Sequence, residues 1–96
     1  MGVEAKLEYR HGYPPLVNNV EESAFAAEIA AGIVGDGNVN TDPDPKMGAE
    51  DFSYMLNECP GAYIWIGNGP GESGCYLHNP NYDFNDQVLP LGASYW

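Results

Sequence analysis

Ala62-Tyr63-Ile64-Trp65-Ile66-Gly67 is the stretch from which the fold class is read. It is a continuous apolar run rich in β-branched and aromatic side chains, the pattern of a strand covered on both faces. Such strands lie inside sheets flanked by helices, so the run predicts an α/β fold with a strand over 62–67. Gly67-Asn68-Gly69-Pro70-Gly71-Glu72-Ser73-Gly74 follows and delivers Cys75-Tyr76-Leu77-His78 beyond the strand end. Open α/β sheets hold ligands at the carboxyl ends of their strands, which puts His78 on the side where chemistry is done. The glycine loop is a poor phosphate cradle, because it lacks the Lys-Ser/Thr ending and an immediately following helix.

Working outward, Cys59-Pro60-Gly61 stops a short helix expected over 50–58, with Glu50 and Asp51 in its first turn and Phe52, Met55 and Leu56 facing inward. A longer helix is expected over 20–34. Asn18 or Asn19 offers its N-cap, Glu21 and Glu22 favour its positive end, Phe25, Ile29 and Ile33 form an apolar stripe, and Gly35 is a natural stop. Residues 36–46, with Asp42-Pro43-Asp44-Pro45, read as a turn-rich loop or as the rim of a pocket. Val3, Ala5, Leu7 and Tyr9 alternate with Glu4, Lys6, Glu8 and Arg10, which predicts an edge strand over 3–9 with one wet face. Gly12-Tyr13-Pro14-Pro15 cannot continue a ladder and forms a stiff crossing segment. At the other end, Asp86 is expected to cap a terminal helix carrying Val88, Leu89, Leu91, Ala93 and Trp96. The helices should cover a mixed sheet.

The chain has 96 residues, 44% of them hydrophobic, enough for one small domain that buries roughly 60–65% of its unfolded surface. Three Lys+Arg against fourteen Asp+Glu give a formal net charge of −11. An acidic surface of this kind repels phosphate backbones and anionic lipids, so neither nucleic acid nor a membrane is an expected partner. No apolar run reaches the roughly 18 residues of a transmembrane span, and no signal peptide is recognisable. Cys59 and Cys75 are too few for a disulfide framework; reduced thiols in a cytoplasmic protein are expected.

The chemistry-bearing stretch is Leu77-His78-Asn79-Pro80-Asn81-Tyr82-Asp83-Phe84-Asn85-Asp86. Imidazole is the commonest ligand for zinc-type metals, Pro80 stiffens the chain, and Asn79, Asp83, Asn85 and Asp86 offer acceptors to fix a tautomer. A histidine in a polar loop is also an ordinary surface residue. A site drawn from His78, Cys75 and Asp83 has no motif behind it.

Met47-Gly48-Ala49-Glu50-Asp51-Phe52, Pro60-Gly61-Ala62-Tyr63, Leu77-His78-Asn79-Pro80 with Tyr82-Asp83-Phe84-Asn85-Asp86, and Leu89-Pro90-Leu91-Gly92-Ala93 come in a fixed order. Together they resemble the C-terminal part of the M20 metallopeptidases, in particular the amidohydrolase branch of hippurate hydrolases, N-acyl-amino-acid amidohydrolases and auxin-conjugate hydrolases. Arg10-His11-Gly12-Tyr13-Pro14-Pro15-Leu16-Val17-Asn18 resembles the block where the small lid domain returns to the catalytic domain.

The resemblance implies a partial three-layer α/β/α zinc-peptidase-like catalytic domain without its N-terminal half. Residues 1–10 would end the lid or dimerisation domain, 11–19 cross over, and 20–96 form the C-terminal part of the catalytic domain. It implies two divalent metal ions per active site, zinc foremost, with manganese, cobalt and nickel as alternatives. Paired metals polarise an amide carbonyl and activate a bridging water, and a glutamate moves its proton to the leaving nitrogen. His78 matches the last metal ligand; the other ligands and the base would lie upstream. Met47 and Gly48 match the wall of the substrate pocket, although Gly48 equally suits the start of a helix. Glu50 is either a pocket residue or a partner of the helix dipole, and Asn18 either reaches the active site or caps α-helix 20–34. The expected substrate is a small N-acyl amino acid or peptide. The expected partners are the upstream part of the same enzyme and a second copy in a homo-oligomer. The competing reading is a stand-alone acidic binding or assembly module that pairs through exposed strand edges.

Overall fold

The computed structural model describes residues 2–69 and 75–96, so most of the glycine loop, 70–74, lies outside the described residues. Helix α1 spans Val20–Val34. Its cap is Asn19 rather than Asn18: Asn19 is extended and its Oδ1 accepts the Glu21 N–H at 3.2 Å. Gly35 ends the helix at φ 85°, a conformation a side chain resists, and donates its N–H to the Ala31 carbonyl. A 3-10 turn over Asp36–Asn38 follows, with Asn38 donating from Nδ2 to the Val34 carbonyl at 2.7 Å. Residues 41–49 are exposed throughout.

Helix α2 spans Phe52–Glu58, so Glu50 and Asp51 lead into it instead of forming its first turn. The Glu50 side chain acts as its cap by accepting the Phe52 N–H at 3.2 Å. Phe52 and Leu56, one turn apart, share the half-buried face, whereas Met55 points outward at 60% exposure. Ser53 is fully buried and donates from Oγ to the Glu50 carbonyl at 2.6 Å. The backbone then passes so close to α2 that a Cβ at Gly61 would lie 3.0 Å from Leu56 Cδ2.

Helix α3 spans Leu89–Tyr95 and is preceded by a 3-10 turn over Asp86–Val88. The cap is Asn85, whose Oδ1 accepts the Gln87 N–H; Asp86 is already inside the turn. Helix α3 packs against α1. The face of α1 that goes inward is the alanine face around buried Ala26, while Phe25 remains 65% exposed. Alanine lets two backbones approach closely; of the larger stripe, Ile29 and Ile33 are mostly covered at 37% and 36% exposure, and Phe25 is not.

The two predicted strands require correction. Residues 3–9 and 62–67 contain no strand among the described residues, and neither does any other segment. Residues 2–10 are exposed throughout; their side-chain contacts are short-range, Arg10 with Glu8 at 2.7 Å and the Tyr9 ring against His11. A strand is defined by a hydrogen-bonded neighbour, and period-two alternation or an apolar run specifies only the conformation and faces that would suit one. Around 61–68 the backbone is instead held by side-chain amides. Asn18 pairs with Tyr63, and Asn19 N–H donates to the Gly61 carbonyl at 3.0 Å. At the far end Asn68 accepts the Asn85 N–H at 2.8 Å, donates to the Asp83 carbonyl, and has its own carbonyl met by Asn85 Nδ2.

Little of the apolar surface is covered. Ala26 and Ser53 are the buried residues among those described, and Ile66 and Trp65 stay 50% and 68% exposed. The radius of gyration is 18.0 Å, against roughly 12–13 Å for a compact domain of this length.

Candidate functional site

His78 sits in a loop whose base is closed by the Asn68–Asn85 pairing. Two successive turns shape the loop, with Asn79 N–H donating to the Tyr76 carbonyl at 3.2 Å and Tyr82 N–H to the Asn79 carbonyl at 2.9 Å. His78 occupies the third position of the first turn with φ 67°. Glycine is the usual occupant there, and a left-handed residue with a Cβ costs on the order of 1–2 kcal/mol. Strain of this kind held at an exposed imidazole is an observation that points toward function. Of the acceptors expected to orient the ring, Asn79 Oδ1 is engaged by Asn81 N–H and Asn85 Oδ1 by Gln87 N–H. Among the described residues no side chain hydrogen-bonds the His78 imidazole, and no three His, Cys, Asp or Glu side chains converge in a metal-sized cluster.

The remaining expected site residues divide into an exposed pair and a braced pair. Met47 is fully exposed, and Gly48 has open space where a Cβ would stand. Glu50 is part-buried and both carboxylate oxygens are engaged, Oε1 with Phe52 N–H and Oε2 with the Tyr63 phenol at 3.0 Å. The Phe52 N–H first, and the Tyr63 hydroxyl next, hold the Glu50 carboxyl below its ordinary range. The same hydrogen bond to the carboxylate pushes the Tyr63 phenol up. Asn18 donates from Nδ2 to the Tyr63 carbonyl at 2.9 Å and accepts the Tyr63 N–H at 2.8 Å. The structure therefore joins Asn18 to Glu50 through Tyr63. Sequence reading did not single out Tyr63, since a tyrosine in an apolar run looks like core.

Among the described residues, the open grooves include two near these segments. One, of about 370 Å³, lies between the end of the 62–67 stretch and α3, lined by Ile66, Tyr82, Phe84, Leu89 and Trp96 among others. The other, of about 330 Å³, lies beside Asn18 and the end of α2. Met47, Gly48, Glu50 and His78 line neither groove.

The model of the peptidase family M20/M25/M40 matches residues 3–96. The chain belongs to that family. Its relatives include the hippurate hydrolase of Campylobacter jejuni, 35% identical over 94 residues, which cover 98% of this chain and 24% of that protein. An N-acetyldiaminopimelate deacetylase of Streptococcus suis is 36% identical over 93 residues, 96% of this chain and 24% of that protein. Thermostable carboxypeptidase 1 of Saccharolobus solfataricus is 34% identical over 83 residues, 84% of this chain and 20% of that protein. These matches bear out the resemblance to the amidohydrolase branch, and the chain spans about a quarter of the length of such relatives. No solved structure gives a significant match. Family membership implies an α/β fold, to which the described residues contribute helices, with no strand among them. The family is generally metal-dependent, but a two-metal centre does not fit the described residues alone, because they gather no set of ligands.

Proposed function

We propose that this sequence is the C-terminal portion of a metal-dependent amidohydrolase that cleaves the amide bond of small N-acyl amino acids or peptides. The observation that carries the reading is His78, an exposed imidazole held at φ 67° in a closed loop, within a family match that spans residues 3–96. The names of the relatives support hydrolysis of an amide link, and the span of about a quarter of their length supports an assignment as one portion of a larger enzyme. Residues 1–10 then end a lid or dimerisation domain, 11–19 cross over, and 20–96 complete a three-layer catalytic domain whose mixed sheet is assembled with upstream sequence.

In this reading His78 supplies one ligand to a pair of divalent ions, zinc foremost, and the chemistry those ions bring is polarisation of the scissile carbonyl and activation of water. This chain's own contribution is to hold the imidazole outward on a loop closed by Asn68 and Asn85. It also presents Met47 and Gly48 as an exposed stretch of pocket wall, backed by Glu50 and Asn18. By itself the chain is expected to be inactive, since one imidazole cannot hold two metals.

His78→Ala in the full-length protein tests the assignment through metal content and turnover. The expected result is loss of metal from one of the two sites together with most hydrolysis of an N-acyl amino acid. Unchanged metal content with full activity would overturn it. His78→Gly, which relieves the backbone strain, should lose the metal equally while folding at least as well, which separates ligation from stability.

A further inference from the structure

We propose that Asn18, Tyr63 and Glu50 form a latch that fixes the start of α2 to the segment entering α1. In this latch Asn18 and Glu50 act as positioning residues rather than as groups that touch substrate. The inference goes beyond the amidohydrolase reading and does not depend on the metal.

Geometry carries it. The Asn18 side chain uses both of its ends on one residue, donating to the Tyr63 carbonyl at 2.9 Å and accepting the Tyr63 N–H at 2.8 Å. One residue on, Asn19 N–H meets the Gly61 carbonyl at 3.0 Å, so residues 18–19 run beside 61–63 with three hydrogen bonds. An amide in this setting has one orientation, since exchanging its oxygen and nitrogen would oppose like groups at both contacts. Backbone position at 63 in turn sets the phenol, whose ring packs against Phe52 with centroids 5.6 Å apart and whose hydroxyl donates to Glu50 Oε2 at 3.0 Å. Glu50 passes the constraint on, because its Oε1 caps α2 and its carbonyl accepts from both N–H and Oγ of buried Ser53. Both carboxylate oxygens and both ends of the Asn18 amide are thus committed inside the molecule. A displacement of the crossing segment 11–17 reaches the Met47–Glu50 stretch by this route, through an Asn18–Tyr63 contact between residues 45 apart in sequence.

The latch predicts that a change at Asn18 alters the phenol of Tyr63, which Asn18 does not touch. That phenol is held above the ordinary tyrosine range chiefly by its bond to Glu50, with the charge of Asp51 adding to it. The experiment is a pH titration of the full-length protein labelled with 13C at tyrosine Cζ, the Tyr63 signal being assigned from its disappearance in Tyr63→Phe. Glu50→Gln should bring the Tyr63 midpoint back toward about 10. Asn18→Ala should move it in the same direction. Asn18→Leu, which is near-isosteric, uncharged and unable to make either hydrogen bond, should do so too and serves if the alanine variant folds poorly. An unmoved Tyr63 midpoint in a folded Asn18 variant, when Glu50→Gln lowers it, would overturn the latch. So would a folded Asn18 variant that raises KM for substrate with the phenol unchanged, because Asn18 would then be a substrate contact.

Discussion

Asn18 and Tyr63 meet through two hydrogen bonds between one side chain and one backbone residue, at 2.9 and 2.8 Å. The arrangement is that of a single rung of a sheet in which a side-chain amide has replaced one strand. It shows where the backbone of an apolar stretch with no strand neighbour among the described residues finds its partners. The Asn68–Asn85 pairing repeats the device at the other end, and 61–68 is held between the two. Backbone groups that would otherwise be left bare are satisfied at both ends of the run, and its middle presents Ile64, Trp65 and Ile66 outward.

The hydrogen bond between Tyr63 and Glu50 makes stability depend on pH in two separate windows. Glu50 has its folded pKa lowered from 4.5, so its contribution is present above that value and lost as pH falls through the depressed one. Tyr63 has its folded pKa raised from 10.0, so its contribution is present below 10.0 and lost as pH rises through the elevated one. Denaturant unfolding of the full-length protein and of Tyr63→Phe should therefore differ by a constant amount at intermediate pH and converge at both extremes. A difference independent of pH from 3 to 11 would show that the phenol contributes packing alone.

Among the described residues Ser53 is the one fully buried side chain, and its hydroxyl serves the Glu50 carbonyl at 2.6 Å. Ser53→Ala removes the hydroxyl and should cost about 1 kcal/mol, because the carbonyl keeps the Ser53 N–H. Ser53→Leu must force apart the 50–53 turn and the residues packed on it, and should cost more, about 1–3 kcal/mol. Urea unfolding midpoints rank the two; equal costs would mean the site has room to spare.

Gly35 stops α1 at φ 85° with open space around it. Gly35→Ala should therefore destabilise by about 1–3 kcal/mol through backbone strain, with no contact to a neighbouring side chain. Gly61→Ala meets Leu56 Cδ2 at 3.0 Å, the far end of a side chain that can turn, so its cost should fall when Leu56 is shortened to Ala. Measuring the pair as a double-mutant cycle checks this: additive effects would exclude the Leu56 contact as the cause.

The 96-residue chain on its own should be poorly folded or self-associated. Val3, Leu7, Trp65 and Trp96 are each more than two-thirds exposed, and burying such surface is worth roughly 25 cal/mol per Å². The charge of −11 opposes random aggregation but leaves a specific pairing of extended edges open. Sedimentation and hydrogen exchange decide it. A monomer with strongly protected amides over 62–67 at micromolar concentration would contradict the expectation.

What the sequence determined by itself was local. Helix α1 falls on the expected 20–34 because its signals lie within it and beside it: Asn19 as cap, Glu21 and Glu22 at the positive end, and Gly35 beyond the last turn. The ordered motif blocks were equally legible, and the family match over 3–96 spans them all. Tertiary structure alone decided what faces what. No periodicity distinguishes an apolar run that finds a neighbouring strand from 62–67, because the neighbour belongs to distant sequence. None reveals that α3 would pack against α1, or that α1 would bury Ala26 and leave Phe25 largely exposed. Residue type allowed Asn18 and Asn19 to exchange roles as cap and brace, and only the approach of Gly61 and Tyr63 from some 45 positions away assigned them. A hydrogen bond between distant residues depends on where the chain returns, and that is fixed by packing rather than by the residues that make it.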